Sequence, residues 1–208
     1  MGGGSRRPAR LTREFYEDSP LVVAPRLLNK LLVTADGRAG RIVEVEAYWG
    51  AQDPASHAYR GRTPRNATMF LAGGHLYVYM SYGMHWCANV VCGPEGEAQA
   101  VLLRALEPVR GLDLMRAARW RGQRRQDDRD LCRGPGRLCQ ALGIDRAYDG
   151  VDLTRRSAAA WVADDGVAPP DSPVGSARVG ISAGTDLPWR FAVAGHQCLS
   201  RPVVRRLP

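Results

Sequence analysis

The strongest fold signal in the chain is the stretch Leu76-Tyr77-Val78-Tyr79-Met80-Ser81-Tyr82-Gly83-Met84-His85-Trp86-Cys87-Ala88-Asn89-Val90-Val91. Aromatic and β-branched residues favour strands, and they recur on both sides of Gly83. The pattern predicts a β-hairpin whose two strands cover residues 76–82 and 86–92, with the turn at the glycine.

Tyrosines on this hairpin bear on function. Tyr77 and Tyr79 share one face of the first strand, because alternate residues of a strand point the same way. Tyr82 precedes the turn glycine, so its ring is expected to project from the tip, where an exposed aromatic side chain needs a partner. A stack of DNA bases is one such partner, with the ring as a wedge. The preference of tyrosine for β-structure explains the same residues equally well.

The rest of the chain reads as short strands and helices. Strands are predicted over 41–48, 99–106, 177–181 and 190–194, and helical segments over 11–32 and 111–144, with a break at Gly134-Pro135-Gly136. Residues 50–75 are rich in glycine and proline and predict a loop. We find no repeat or linker, so residues 11–208 are predicted to form a single domain and residues 1–10 a disordered basic arm.

Composition indicates a packed protein with a polyanionic partner. Hydrophobic residues make up 45% of the 208 and charged residues 24%, which excludes wholesale disorder. The net charge is +8, and Lys30 is the only lysine. A positive excess favours nucleic acid, whereas a GC-rich genome accounts for the arginine-to-lysine ratio. With no apolar run long enough for a bilayer and no secretory signal, we expect no membrane partner and a location in the cytoplasm and nucleoid, or in a eukaryotic nucleus.

The cysteines and histidines give no metal or disulfide pattern. The cysteines are five in number, and none is spaced as CxxC: Cys87, Cys92, Cys132, Cys139 and Cys198. Buried free thiols are the better interpretation. His57 has no partner at HxH or HxxxH spacing, so we expect neither a metal nor another cofactor.

The strand 41–48 brings two carboxylates to one face. Glu44, Glu46 and Tyr48 alternate with Val43, Val45 and Ala47, which are expected to face a core. Carboxylates two residues apart lie about 7 Å apart on a strand, so their repulsion and burial would raise one pKa. A carboxylate tuned in this way can act as a general base near neutral pH. A solvated strand face is the other interpretation.

Arginines and one histidine mark further candidate sites. Arg104 lies in an apolar strand; if buried, it needs either a carboxylate, for which Glu46 is a candidate, or an anionic ligand, and an arginine that faces the sheet edge is the other interpretation. His57 can bind a ligand, act as an acid or serve the structure alone. The loop after it carries three arginines that suit phosphate contacts or a solvated surface: Arg60, Arg62 and Arg65.

A helix start adds one more anion site. The turn Gly134-Pro135-Gly136 opens a predicted helix, whose free backbone N–H groups suit a DNA phosphate, and Arg137 follows it.

Four runs in this order resemble the alkyladenine (3-methyladenine) DNA glycosylase family: RIVEVEAYWGAQDPASHAYRGRTPRNATMF at 41–70, GHLYVYMSYGMHWCANVV at 74–91, AVLLRALEP at 100–108 and LCRGPGRLCQALGI at 131–144. Weaker similarity extends from about residue 11 to the C-terminus, and the main departures are the short N-terminal arm and residues 155–175. The resemblance implies an α+β fold: one domain with a curved, mainly antiparallel sheet, a projecting hairpin and surrounding helices. It also implies a monomeric, metal-free, monofunctional enzyme of base excision repair.

By this resemblance, the enzyme flips alkylated or deaminated purines of the 3-methyladenine, 7-methylguanine and hypoxanthine class out of duplex DNA and hydrolyses the N-glycosidic bond. Glu46 matches the general base for water, which Arg104 and the Val179 carbonyl hold. The base-binding residues match Tyr48, His57, Tyr79 and Asn89, the last of which excludes normal guanine, and Tyr82 matches the intercalating tyrosine. The DNA-backbone contacts expected beside them are Arg60, Arg62, Arg65, Gly134, Gly136 and Arg137.

Two other functions are compatible with parts of the sequence. A non-catalytic, basic nucleic-acid-binding module would share the charge and the aromatic residues, but it has no need of Glu46 beside Arg104. A glycoside hydrolase using Glu44 and Glu46 would need carboxylates on either side of the bond, which one strand face does not provide.

Overall fold

A computed structural model describes residues 8–120 and 127–203. The described residues contain nine strands: β1 (Ala9–Arg10), β2 (Leu31–Thr34), β3 (Ala39–Trp49), β4 (Leu76–Ser81), β5 (His85–Cys92), β6 (Gln99–Arg110), β7 (Ala160–Asp164), β8 (Val174–Ser176) and β9 (Arg190–Ala192). The α-helices in the same residues are α1 (Pro20–Leu27), α2 (Leu112–Trp120) and α3 (Pro135–Leu142).

The strands form one antiparallel sheet in the order β1-β7-β2-β3-β6-β5-β4. β9 pairs with β3 at Glu44–Glu46 on the side opposite β6, and β8 pairs with β9. Register shifts on either side of Glu44 mark one extra residue in β3, at Val43, and one in β6, at Arg104, and such bulges bend a strand. The sheet stays open, and with the surrounding helices it confirms the predicted α+β, mainly antiparallel architecture.

Strand alternation separates the apolar core from the candidate site. Val45 on β3 and Leu103 on β6 belong to the main core, onto which α1 and α3 pack. Their neighbours Glu46 and Arg104 point to the opposite face, as do Tyr77 and Tyr79 on β4. Because β3, β6, β5 and β4 are consecutive in the sheet, one face collects polar and aromatic residues from all four.

Val43 departs from the predicted alternation. It is fully buried, but it lies in a separate apolar cluster with Ala105 and Ala192, while Val45 and Ala47 face the main core. The extra residue in β3 between Ile42 and Glu44 explains this difference, because it shifts the alternation by one.

The predicted hairpin is confirmed. β4 and β5 pair from Leu76–Val90 to Ser81–His85, which leaves Tyr82, Gly83 and Met84 in the turn. Both Tyr82 and Gly83 have positive φ, 50° and 68°, as the tight turn requires. The predicted break in the helical region is also confirmed, because α3 begins at Pro135 directly after Gly134.

Two predictions near the N-terminus need correction. Residues 31–32 were expected in a helix, but α1 ends at Leu27, Asn29 takes a positive φ of 66° and Leu31 begins β2. All four β2 residues are buried, so the run lacks the alternation that would have predicted a strand. Ala9 and Arg10 pair with β7, so the expectation of disorder up to residue 10 is wrong for these two; residues 1–7 lie outside the described residues.

The C-terminal strands also differ from expectation. Instead of a strand over 177–181, β8 ends at Ser176, and Arg178 and Val179 follow without regular structure, turned towards β3. β9 ends at Ala192, two residues before the predicted end. Across residues 8–120 and 127–203, the structure has no helix long and apolar enough to span a membrane.

Candidate active site

A cleft of about 850 Å³ opens on the polar face of β3–β6. Its floor is formed by the strands, and the loops at 54–57 and 179–183 close its sides. Most residues predicted for catalysis and base binding line it: Tyr48, His57, Tyr79, Tyr82, Asn89, Arg104 and Val179. Glu46 lies directly beneath, hydrogen-bonded to three of these residues.

Glu46 is a fully buried carboxylate with defined donors. The backbone N–H of Val179 donates to Oε1 at 2.7 Å, and the Tyr48 hydroxyl donates to Oε2 at 2.9 Å. Nη1 of Arg104 reaches Oε2 at 3.4 Å. Burial raises the pKa of Glu46 above its ordinary value, although the Arg104 charge and the two hydrogen bonds oppose the shift. A carboxylate with a raised pKa is a stronger proton acceptor than an ordinary glutamate.

The pKa of Glu44, two residues away, is shifted in the opposite direction. Oε1 accepts from Nε of Arg104 at 3.0 Å, Nε of Arg190 at 2.8 Å and the Ser200 hydroxyl at 2.7 Å, and Oε2 accepts from the Ser200 N–H at 2.6 Å. Burial alone would raise the pKa of Glu44, but the Ser200 hydrogen bonds and the two arginine charges bring it below its ordinary value. Both glutamates are completely buried, so the solvated-face interpretation is wrong.

Arg104 has the carboxylate partners that its burial required. Glu46 was the candidate partner, and the contact exists, but Glu44 is nearer. Nη2 of Arg104 also donates to the Ser200 hydroxyl at 3.3 Å. The guanidinium therefore bridges the two glutamates at the edge of the cleft.

Aromatic side chains form one wall. The His57 and Tyr79 rings pack edge to face with centroids 4.5 Å apart, and Nδ1 of His57 lies 3.1 Å from the Tyr77 hydroxyl. Partial burial of the ring, with the positive charge of Arg65, lowers the pKa of His57. The imidazole is therefore neutral at pH 7, although one side of it remains exposed to the cleft.

Tyr82 stands at the rim of the cleft. It is 85% exposed at the tip of the hairpin, and Met84 beside it is 71% exposed. The predicted projecting ring is therefore confirmed as a feature of the structure. Asn89 lies deeper, where it is 5% exposed and its amide donates to the Tyr77 carbonyl at 3.2 Å.

The predicted phosphate contacts lie in two places, the loop after His57 and the start of α3. Arg65 lines the cleft and lies 5.7 Å from the Tyr79 ring, while Arg60 and Arg62 are exposed outside it. At the start of α3, a Cβ on Gly136 would come within 2.9 Å of the His85 Cβ, so this helix end abuts the hairpin. Arg137 follows and is exposed. The prediction of a free N–H at Gly134 is wrong, because that group donates to the Cys132 carbonyl at 3.0 Å within the turn.

Arg178 and Asp53 form a fully buried ion pair that the sequence did not single out for this role. Nη1 and Nη2 of Arg178 reach the two carboxylate oxygens at 2.5 and 2.7 Å, and Nη1 also donates to the Ala47 carbonyl at 2.9 Å. The guanidinium lies 4.7 Å from the centre of the Tyr48 ring. The pair thus joins the loop before His57 to the strand end that carries Glu46 and Tyr48.

The cysteines are free and buried in the structure, as predicted. Among residues 8–120 and 127–203, no three histidine, cysteine or acidic side chains are grouped to hold a metal ion. Independence from metals and other cofactors stays a prediction.

Comparisons with known proteins point to one family. The model of the family described as methylpurine-DNA glycosylase matches residues 14–197. A Burkholderia lata protein named "Putative 3-methyladenine DNA glycosylase" is 61% identical over 198 residues, covering 95% of this chain and 94% of that protein. Proteins of the same name from Rhodopseudomonas palustris and Nitrobacter winogradskyi are 47% and 46% identical over 192 residues, covering 92% of this chain and 90% and 88% of theirs.

These findings define the class of protein as a DNA glycosylase, a hydrolase of DNA repair whose substrate is DNA. A non-catalytic binding module is therefore the wrong class. Within the glycosylases, the chain belongs to the methylpurine-DNA glycosylase family.

Proposed function

We propose that this glycosylase flips alkylated or deaminated purines, of the 3-methyladenine, 7-methylguanine and hypoxanthine class, out of duplex DNA and hydrolyses their N-glycosidic bond. The observation that carries the proposal is Glu46, a buried carboxylate of raised pKa beneath a cleft with aromatic walls. C1′ of a stacked nucleotide is out of reach of such a group, so the nucleotide must leave the helix first.

Glu46 takes a proton from a water molecule as the water oxygen bonds to C1′. The C1′–N bond breaks, and the base leaves with its electron pair. Arg104 and the Val179 carbonyl hold the water, and the carboxylate stabilises the positive charge that develops on the sugar. The Val179 N–H and the Tyr48 hydroxyl fix the carboxylate for this step.

The flipped purine binds among Tyr48, His57 and Tyr79. Alkylated purines such as 3-methyladenine and 7-methylguanine are cationic and stack well on electron-rich rings. Neutral His57 can donate or accept one hydrogen bond to the base edge. Asn89, at the floor, excludes normal guanine. A neutral base such as hypoxanthine leaves with the help of a proton.

Tyr82 fills the gap that the flipped nucleotide leaves in the stack, in keeping with its exposed ring at the cleft rim. The phosphates on either side are bound by the side chains of Arg60, Arg62, Arg65 and Arg137 and by the N–H group of Gly136 at the start of α3. The enzyme acts as a monomer, without a cofactor, on chromosomal DNA in the bacterial nucleoid.

A sugar-directed glycoside hydrolase is less well supported. Such an enzyme needs a second carboxyl group as acid or nucleophile, but Glu44 accepts four hydrogen bonds and lies away from the cleft lining.

A duplex with one hypoxanthine and a duplex with one 7-methylguanine test the proposal, each incubated with the protein and then treated with alkali. We expect strand cleavage at the lesion alone, with none in an undamaged duplex of the same sequence. Failure to produce an alkali-labile site in either damaged duplex would refute the proposed substrate class.

A further inference from the structure

Glu44 is a buried ionised group that the proposed reaction does not use. Glu44 is completely inaccessible to solvent. Its carboxylate is the one nearest to the Arg104 guanidinium, with Oε1 at 3.0 Å from Nε. The contact from Arg104 to Glu46 is longer, at 3.4 Å. Charge-assisted N–H···O bonds are normally about 2.7–2.9 Å long, so the second contact is a weak one.

Two residues from distant parts of the chain keep Glu44 in place. Arg190 on β9 holds Oε1, and the backbone and side chain of Ser200 hold both oxygens. Arg190 lies 146 residues away and Ser200 lies 156 residues away, so these contacts are built by the tertiary fold. This bonding pattern fixes a negative charge next to Nε of Arg104.

In the described part of the chain, two arginines form ion pairs with the two glutamates. Glu46 is faced by Arg104 from β6, Cys87 from β5, and Glu44 and Tyr48 from its own strand. Glu44 is faced by Arg104 and by Arg190 from β9. The cluster thus balances two glutamates against two arginines.

We propose that Glu44 is a positioning residue for the hydrolysis: it holds Arg104 between the two glutamates, so that the guanidinium reaches the water site without forming a full ion pair with Glu46. Without the Glu44 charge, Arg104 would swing onto Glu46 and take up the lone pairs that accept the proton. A tightly paired carboxylate has a lower pKa and is a weaker base. This inference rests on the proposed role of Glu46.

The test is the pH dependence of single-turnover excision of 7-methylguanine, whose fixed positive charge removes the need to protonate the leaving base. In Glu44→Gln, we expect the acidic limb of the profile to move to lower pH by about one unit. The plateau rate is expected to fall about tenfold, because the base is weaker. Glu107→Gln is the matched control: it removes one negative charge from β6, at a partly exposed side chain paired with His196, and should keep the wild-type limb.

A purely structural role for Glu44 predicts a different result. The variant would lose thermal stability and rate at every pH, with the limb unmoved, and that outcome would overturn the inference. Glu44→Asp covers the case in which Glu44→Gln does not fold. It keeps the charge but withdraws it by one methylene, so a smaller shift in the same direction is expected, and a wild-type profile in folded Glu44→Asp also overturns the proposal.

Glu46→Gln, measured in parallel, separates this inference from the proposed function. If Glu46→Gln retains the wild-type rate, the assignment of the base fails, and the inference about Glu44 fails with it. If Glu46→Gln is inactive while folded Glu44→Gln keeps the wild-type limb and rate, only the positioning role is lost.

Discussion

The Tyr48 hydroxyl donates a 2.9 Å hydrogen bond to Oε2 of Glu46, and both residues come from the same face of β3. The proposed function therefore gives Tyr48 two roles in one side chain. Its ring lines the cleft where a base would stack, and its hydroxyl stabilises the ionised form of the carboxylate beneath. This relationship makes a prediction that separates the two.

Tyr48→Phe keeps the ring and removes the donor. Because a hydrogen bond to the ionised carboxylate lowers its pKa, the loss of that bond raises the pKa of Glu46 further. The acidic limb of the single-turnover rate should move to higher pH by about one unit, with the rate recovered above it. Affinity for a lesion duplex should change little, since the stacking surface is intact. A limb that stays in place or moves to lower pH would contradict the role of the hydroxyl.

Glu46→Gln preserves the size of the side chain and removes the base. Excision should fall by about 10²- to 10⁴-fold, the usual contribution of a general base, while binding to a lesion duplex is retained. Single-turnover kinetics and a gel-shift titration on the same duplex measure the two effects. Near-normal excision in this variant would remove Glu46 from its proposed role.

Tyr82→Ala tests the wedge. Tyr82 is 85% exposed, so its loss should leave the melting temperature unchanged. Stacking of a base on an aromatic ring is worth about 1–3 kcal/mol, and the flipped state should weaken by about that amount. Fluorescence of a reporter base beside the lesion measures this change, and Tyr82→Phe, which keeps the ring, should behave as wild type. Unchanged fluorescence in Tyr82→Ala would show that the ring is no wedge.

Local patterns predicted the part of the site that lies on single strands. Alternation on 41–48 placed Glu44, Glu46 and Tyr48 on one face, and the hairpin placed Tyr79 and Tyr82, because neighbours on a strand are fixed by backbone geometry. The resemblance to a family assigned their roles. The structure adds that β3 and β6 are adjacent, which brings Arg104 into the cleft lining beside Glu46.

What the sequence did not predict depends on distant partners. Arg190 and Ser200 meet Glu44 across about 150 residues, and nothing in either local sequence indicates that contact. The ion pair of Arg178 with Asp53 spans 125 residues, and the local sequence likewise gave no indication of it. β2 was read as helix because both of its faces are buried, so the alternation that identifies a half-exposed strand is absent.

Lys30 bears on the fate of the abasic site that excision leaves. Lyase chemistry needs an amine that forms a Schiff base with the opened sugar, and Lys30 is the only lysine. Lys30 falls within the segment 11–32 that was predicted to be helical. It lies instead just before β2 and is almost completely buried, with Nζ 2.7 Å from Asp164 on β7. Neither β2 nor β7 contributes a residue to the cleft lining, and Lys30 does not line the cleft.

Arginine stays protonated and cannot replace lysine as a nucleophile, and the N-terminal amine of Met1 lies outside the described residues. Water activated by Glu46 is the nucleophile that we expect. Borohydride added during turnover on a lesion duplex should therefore trap no covalent protein–DNA complex, while alkali still cleaves the abasic product. A bifunctional glycosylase treated in the same way is the positive control for trapping. An adduct that maps to Lys30 or Met1 would refute the monofunctional mechanism, because it would show that an amine of this chain reaches the sugar.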